Sequence, residues 1–361
     1  MSAPPPPPVR IGVLAPLSRP GWTEAGRHLV AGCELAAEEV SATGGIAGRL
    51  LALMVRDTAA DPRRAEAAVE ELAGLGAVAL AGEYHSVAAR AAAARADALG
   101  LPFLCSSAVI DALTDRPTDR IARLAPPQSR GWRAYADFLL AAGHARVAVA
   151  TEPSAYWAAG TGILRAHLAP HGGTVTELDA RTPSFGALCD ALAAGDATAL
   201  LLLTGFPDPA VPLVRAVRRD PRLADLLIGA PAGQPEFAGW AELLGGDGGA
   251  IPFLRYLPAG PTPLGAQVAA ALRERLGTAP SFVAFEGHDT VTVLAEALRS
   301  HGPDREAVAA CWPHVVVEGT RGKIRFTRPE GSPVWQWTGP PLQVTDRDPA
   351  DPTRFRTLHT A

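Results

Sequence analysis

Two short runs come nearest to a nucleophilic arrangement in this chain: Cys105-Ser106-Ser107 and His85-Ser86. A hydrolase would present its serine on a GxSxG elbow, with a base to take the proton, and neither pattern occurs. Serines at strand-to-helix loops serve more often as helix caps or as donors to a ligand. The run Gly319-Thr320-Arg321-Gly322-Lys323 lacks phosphate-loop spacing and the Ser/Thr after its lysine, so it reads as a turn into a strand. The first loop, Pro16-Leu17-Ser18-Arg19-Pro20-Gly21, carries no dinucleotide fingerprint. Nothing resembles HExxH or a carboxylate cluster, so neither metal nor cofactor is expected. What these residues offer is hydroxyls and neighbouring backbone N–H groups, either as helix caps or as donors to a small ligand.

Those groups need strands and helices to place them. Arg10 to Ala15 is a short apolar run bounded by Pro16, as for a strand buried on both faces of a parallel sheet. The loop that follows carries Ser18, Trp22 and Glu24. From Gly26 the apolar residues Leu29, Val30, Cys33, Leu35, Ala36 and Val40 recur at helical spacing until Gly44-Gly45, and Leu50 to Val55 begins a second strand. Strand and helix patterns then alternate along the chain. Gly82-Glu83-Tyr84-His85-Ser86 follows the strand Ala77 to Ala81, which puts Ser86 at a helix amino terminus where N–H groups and the dipole favour a carboxylate. Ser106, Ser107, Ala108 and Val109 follow the next strand, Pro102 to Cys105. Loops at the carboxyl ends of parallel strands are where open α/β sheets hold small molecules.

Composition is consistent with this. The 361 residues suffice for two domains, 48% are hydrophobic, and a net charge of −4 gives no basic footprint for nucleic acid. No stretch approaches the roughly 18 apolar residues that span a bilayer, so direct membrane insertion is not expected. The four cysteines, Cys33, Cys105, Cys189 and Cys311, lack metal spacing and read as buried thiols. Met1 to Pro8 has no positive or apolar leader region. As written, the chain is expected in the cytoplasm, and outside it if a leader has been removed.

The segments IGVLAPLS and GCELAAEEVSATGGIAGRLLALMVRDTAADP, with DALTDRPTDRIARLAPPQ, FEGHDTVTVLAEAL, GTRGKIRF and VWQW further on, resemble the type I periplasmic solute-binding proteins, the Leu/Ile/Val-binding branch in particular. The resemblance runs from about Arg10 to Val344. It implies an α/β fold of two doubly wound Rossmann-like domains joined by a three-crossing hinge. On this reading residues 1–9 form a proline-rich arm and residues 10–125 plus 256–328 the first domain. Residues 126–255 plus 329–347 form the second, and 348–361 a tail. The resemblance further implies a non-catalytic receptor that closes around a small organic ligand and presents it to the membrane permease of an ABC transporter. A cytosolic sensor of the amide-responsive type, with a regulatory protein partner, is the alternative.

Carried over residue by residue, the family pattern makes Trp22 an aromatic cap. It gives Glu83, Tyr84 and Ser86, then Ser106, Ser107 and Val109, to the carboxylate-binding loops, and it makes Tyr156, Trp157 and Phe206 the aromatic contacts of the second domain. The family usually has Thr where this chain has Val109. Amino-acid-binding relatives carry a carboxylate near Pro231 for the ligand ammonium, whereas here the nearest acid is Glu236, with Glu83 or Glu24 as first-domain substitutes. The ligand is therefore an amino acid with a rearranged ammonium site, or an aromatic acid, amide or other small organic molecule without one.

Overall fold

The computed structural model describes residues 6–182 and 184–360. In chain order its elements begin β1 (Val9–Ala15), α1 (Thr23–Ala42), β2 (Leu51–Asp57), α2 (Pro62–Gly74), β3 (Ala79–Gly82), α3 (Ser86–Ala98), β4 (Phe103–Cys105) and β5 (Ile121–Arg123). There follow α4 (Gln128–Ala141), β6 (Arg146–Thr151), α5 (Ala155–Leu168), β7 (Thr174–Asp179), α6 (Phe185–Ala194), β8 (Ala199–Leu203), α7 (Ala210–Arg219), β9 (Leu227–Gly229), α8 (Ala238–Leu244) and β10 (Phe253–Arg255). The chain ends with α9 (Pro263–Leu276), α10 (Phe282–His301), α11 (Arg305–Ala310), β11 (Val316–Gly319), β12 (Gly322–Thr327), β13 (Trp335–Trp337), β14 (Gln343–Arg347) and β15 (Phe355–Thr360).

The chain divides into two compact units: residues up to Pro127 with Gly260–Pro341, and Gln128–Ala259 with Leu342 onward. The first unit holds an eight-stranded sheet in the order β11-β12-β13-β5-β4-β3-β1-β2. Its strands from β13 to β2 run parallel, and β12 and β11 are added antiparallel. Both faces are covered. Leu14, Leu80 and Phe103 meet the alanine-rich α2 and α3, and Ile11 and Val13 point the other way, where α1 and α10 pack. The second unit holds a parallel sheet β7-β6-β8-β9 and an antiparallel one, β10-β14-β15. Ala148, Leu200, Leu202 and Ile228 pack on Leu188, Leu192, Val211, Val214 and Trp240. Cys33, Cys105, Cys189 and Cys311 are all buried free thiols. Among the described residues no helix is long and apolar enough to cross a membrane.

Three expectations need correction. Trp335 to Trp337 was assigned to the second domain, but β13 pairs with β5 in the first-unit sheet, with Trp335 opposite Ala122 and Gln336 opposite Arg123. Gln336 fixes that register by donating to the carbonyls of Arg123 at 3.3 Å and Ala125 at 2.8 Å. The third passage between units therefore falls after Pro341 rather than after residue 328. The second passage falls after Ala259 rather than residue 255, since β10 pairs with β14. Residues 348–361 are not simply a tail: Phe355–Thr360 pairs antiparallel with β14, and Phe355 lies between the guanidinium groups of Arg255 at 4.3 Å and Arg347 at 4.7 Å. The arm expected at residues 1–9 falls partly on residues 1–5, outside the described residues. Within the remainder, Val9 already opens β1, and Arg49 Nε donates to the Pro7 carbonyl at 2.7 Å.

Helices α1 and α10 cross at two glycines. A Cβ at Gly32 would lie 1.9 Å from the Ala284 carbonyl oxygen, and one at Gly287 would lie 2.2 Å from that of Leu29. Backbone on both sides leaves nothing flexible to give way. Gly287→Ala should therefore lower stability by at least about 1 kcal/mol, even though alanine favours a helix over glycine by about 1 kcal/mol. Urea unfolding monitored by circular dichroism checks this, and a midpoint at or above wild type would contradict the crossing geometry.

Candidate functional site

In the first unit, three strand-end loops converge on the segment that follows β3. Gly82, at φ +110, has room for no side chain, because a Cβ there would lie 2.1 Å from the Leu14 carbonyl oxygen. Glu83 is fully buried. Its carboxylate accepts from the Thr58 hydroxyl at 2.6 Å and from the N–H groups of Tyr84 at 2.8 Å and His85 at 2.9 Å. Its backbone carbonyl accepts the Ala108 N–H at 3.1 Å, and the Gly82 carbonyl accepts that of Ser106 at 2.8 Å. The His85 Nε2 accepts the Trp22 N–H at 3.0 Å, which leaves the imidazole proton on Nδ1. Burial pushes His85 down to about 4, so the ring is neutral near pH 7.

The residues expected to bind ligand separate into two kinds. Trp22 is the N-cap of α1, and its ring meets Tyr84 edge-on at 5.8 Å; both are half-buried. Ser86 opens α3, and its Oγ accepts the Ile110 N–H at 3.3 Å. Ser106 and Ser107 are buried, and their hydroxyls pair at 3.0 Å. Among the described residues the N–H groups of Ser107 and Val109 have no acceptor, so they are donors in waiting. Val109 supplies a buried side chain, and its carbonyl accepts from Arg123 Nη1 at 3.3 Å. Glu83 differs from these. Both of its oxygens accept hydrogen bonds within the protein, from Thr58 and from its own loop.

In the second unit, Tyr156 and Trp157 lie in the first turn of α5, which begins at Ala155 rather than near residue 158. Ser154 caps that turn, accepting the Tyr156 N–H at 3.2 Å. The two rings are 4.7 Å apart, and Tyr156 meets Trp132 edge-on at 6.0 Å. Burial pushes the Tyr156 phenol up to about 12. Phe206 follows β8 and lies 5.8 Å from the Trp240 ring. Glu152 secures the same loop by accepting the Gly205 N–H at 2.7 Å. Pro231 is buried after β9. Glu236, nearby, is also buried and is bound to Arg255, with Nε to Oε2 at 2.7 Å and Nη2 to Oε1 at 3.3 Å. Arg347 holds the same turn by donating to the carbonyls of Pro235, Glu236 and Phe237.

Sequence reasoning passed over Asp57, Thr58, Arg123, Arg255 and Arg347. Asp57 organises the first loop by accepting the N–H groups of Leu17 at 2.8 Å and Ser18 at 3.2 Å and the Ser18 hydroxyl at 2.5 Å. The place of Asp57 and Thr58 at the end of a parallel strand was the available signal. Arg255 and Arg347 had none, because their partners lie far along the chain. Among the described residues no group of three or more His, Cys, Asp or Glu could hold a metal ion.

Comparison with known proteins adds the following. Residues 8–338 match the family model described as periplasmic binding protein. A stretch of 119 residues is 34% identical to Leu/Ile/Val-binding protein homolog 7 of Brucella melitensis, covering 33% of this chain and 29% of that relative's length. Among solved structures, the leucine-binding protein LivK of Thermotoga maritima superposes with a TM-score of 0.83 at 20% identity, over 97% of each chain. A solute-binding protein of an ABC transporter from R. palustris, in complex with benzoate, gives 0.82 at 17% identity, over 98% of this chain and 96% of that one.

Glu83 generates a pH prediction. Burial raises its carboxyl from the ordinary 4.5 to about 7, against the lowering pull of the Thr58, His85 and Tyr84 donors. The folded state therefore keeps a proton that the unfolded chain releases. This stability contribution is complete below about pH 4.5 and is lost as pH rises through about 7, a change of about 3 kcal/mol. Glu83→Gln keeps the shape without the charge, so it should flatten the fall in melting temperature between about pH 5 and pH 8. An undiminished fall in the variant would assign the effect to another group.

Proposed function

The chain belongs to the periplasmic binding protein family, and on that premise we propose that it is a non-catalytic receptor for a small organic carboxylate. The reading rests on one observation above all: Ser86, Ser106, Ser107 and the N–H groups of Ser107 and Val109, without acceptors among the described residues, gather beside Trp22 and Tyr84 at the carboxyl ends of β1, β3 and β4. Hydroxyls and N–H groups take the acid end of the ligand, the α3 amino terminus adds its dipole, and the aromatic rings cover the apolar body. Tyr156, Trp157, Phe206 and Pro231 are the candidate ligand contacts of the second unit. A receptor of this kind shifts toward whichever conformation its ligand binds more tightly. The closed form is what a membrane permease of an ABC transporter recognises, outside the cytoplasm. The comparisons favour this receptor over the cytosolic sensor.

The ligand body carries no α-ammonium. An ammonium enclosed without a counter-charge is costly, and four of the acids at the strand ends are already committed. Asp57 and Glu83 hold their own loops, Glu152 holds Gly205, and Glu236 is paired with Arg255. An aromatic acid fits this arrangement better than an α-amino acid does.

Calorimetric titration with benzoate, p-hydroxybenzoate, leucine and isoleucine tests the reading, with the aromatic acids expected to bind more tightly. Tighter binding of leucine, lost in Asp208→Asn at the exposed β8 loop, would contradict the ligand class. Ser86→Ala removes a hydrogen bond to a charged group, worth about 1.5–3 kcal/mol, so affinity should fall about tenfold or more. Tyr156→Ala should weaken binding at least a few-fold. Unchanged affinity in both variants would mean that the ligand sits elsewhere.

A further inference from the structure

Arg123 ends β5 and is only 2% exposed, yet the groups bonded to it are neutral. Its Nε donates to Gln336 Oε1 at 2.8 Å, and its Nη1 donates to the Ile110 carbonyl at 2.5 Å and the Val109 carbonyl at 3.3 Å. Among the described residues no carboxylate is ion-paired with it. The acid whose field reaches it is the exposed Asp111, screened by water. A guanidinium buried in this way is costly unless its charge is used.

The Val109 carbonyl and the Ile110 N–H belong to one peptide group. The guanidinium pulls on the oxygen at one end, and at the other the N–H donates to Ser86 Oγ at 3.3 Å. The Ser86 oxygen is thus occupied as an acceptor, and its own proton has no acceptor among the described residues. Hydrogen bonds in such a chain polarise one another, so positive charge at Arg123 strengthens the Ser86 O–H as a donor. Val109 brings no hydroxyl of its own, which raises the demand on the donors that remain.

We infer that Arg123 is a specificity-determining positioning residue: acting through the Val109–Ile110 peptide, it backs the Ser86 donor with charge and sets a preference for a carboxylate over the corresponding neutral amide. This rests on the carboxylate-receptor reading and deepens it. A purely structural clamp on residues 109 and 110 would support acid and amide alike.

The test uses the full chain and four probes, benzoate with benzamide and leucine with leucinamide, titrated against wild type, Arg123→Gln, Arg123→Lys, Ser86→Ala and the Arg123→Gln/Ser86→Ala double variant. Wild type should prefer the acid of whichever pair binds. Arg123→Gln should cut that preference about fivefold or more, the difference between hydrogen bonds to charged and neutral partners, while amide affinity holds. Arg123→Lys should keep most of the preference. On the Ser86→Ala background, Arg123→Gln should change the ratio no further, because the chain is already broken. Equal loss of acid and amide in Arg123→Gln, or an undiminished effect without Ser86, would overturn the inference and leave the receptor reading standing. Should Arg123→Gln fail to melt cooperatively, Ser86→Ala alone decides: its acid-to-amide ratio must fall, and an unchanged ratio overturns the proposal. A wild-type chain that binds none of the four probes would overturn both readings together.

Discussion

Glu83 is one buried carboxylate that, among the described residues, has no cationic partner, and it holds the loops of the first unit in place. It takes the Thr58 hydroxyl from the loop after β2 and two N–H groups from its own loop after β3, while its backbone carbonyl takes Ala108 from the loop after β4. The neighbouring imidazole of His85 extends the connection to Trp22 and the loop after β1. A hydroxyl or an amide side chain could satisfy some of these donors, but an acid that accepts at both oxygens satisfies all of them from one position. Its burial is the cost of that arrangement and appears in the raised carboxyl of Glu83. Ser86 and the aromatic pair Trp22–Tyr84 depend on this loop for their placement.

The second unit uses a different device for a comparable purpose. The turn after β9 is held by Arg255 on the Glu236 side chain and by Arg347 on three backbone carbonyls, and both guanidinium groups lie against the Phe355 ring. The last strand thereby reaches back to stiffen the turn that carries Pro231. The same network occupies the acid closest to that turn. On the proposed reading, a polar interaction that serves the fold thus also withdraws a charge that an ammonium would need.

The parallel strands, their helices and the two-unit division were legible because they rest on periodic burial and on glycine and proline punctuation, which are local. The loops carrying Ser86, Ser106 and Trp22 were legible for a related reason, since strand-end position marks them. Interactions across long chain separations were not. Trp335 to Trp337 was placed in the second domain because nothing local shows that Gln336 locks onto Arg123 and Ala125 of the first. Residues 355–360 looked like a tail because an antiparallel edge strand after Pro349 and Pro352 gives little periodic signal. The internal bonds of Glu83 were not legible for the same reason, since its residue type gives no sign that Thr58, Tyr84 and His85 donate to it.

The most direct test of the central claim is a crystal structure of this chain grown with benzoate. The account predicts the carboxylate within hydrogen-bond distance, about 2.7–3.2 Å, of Ser86 Oγ and of the Ser107 and Val109 N–H groups, with Glu83 still bound to Thr58 and turned away from the ligand. A carboxylate bound away from these loops, or a Glu83 side chain rotated out to contact the ligand directly, would contradict it.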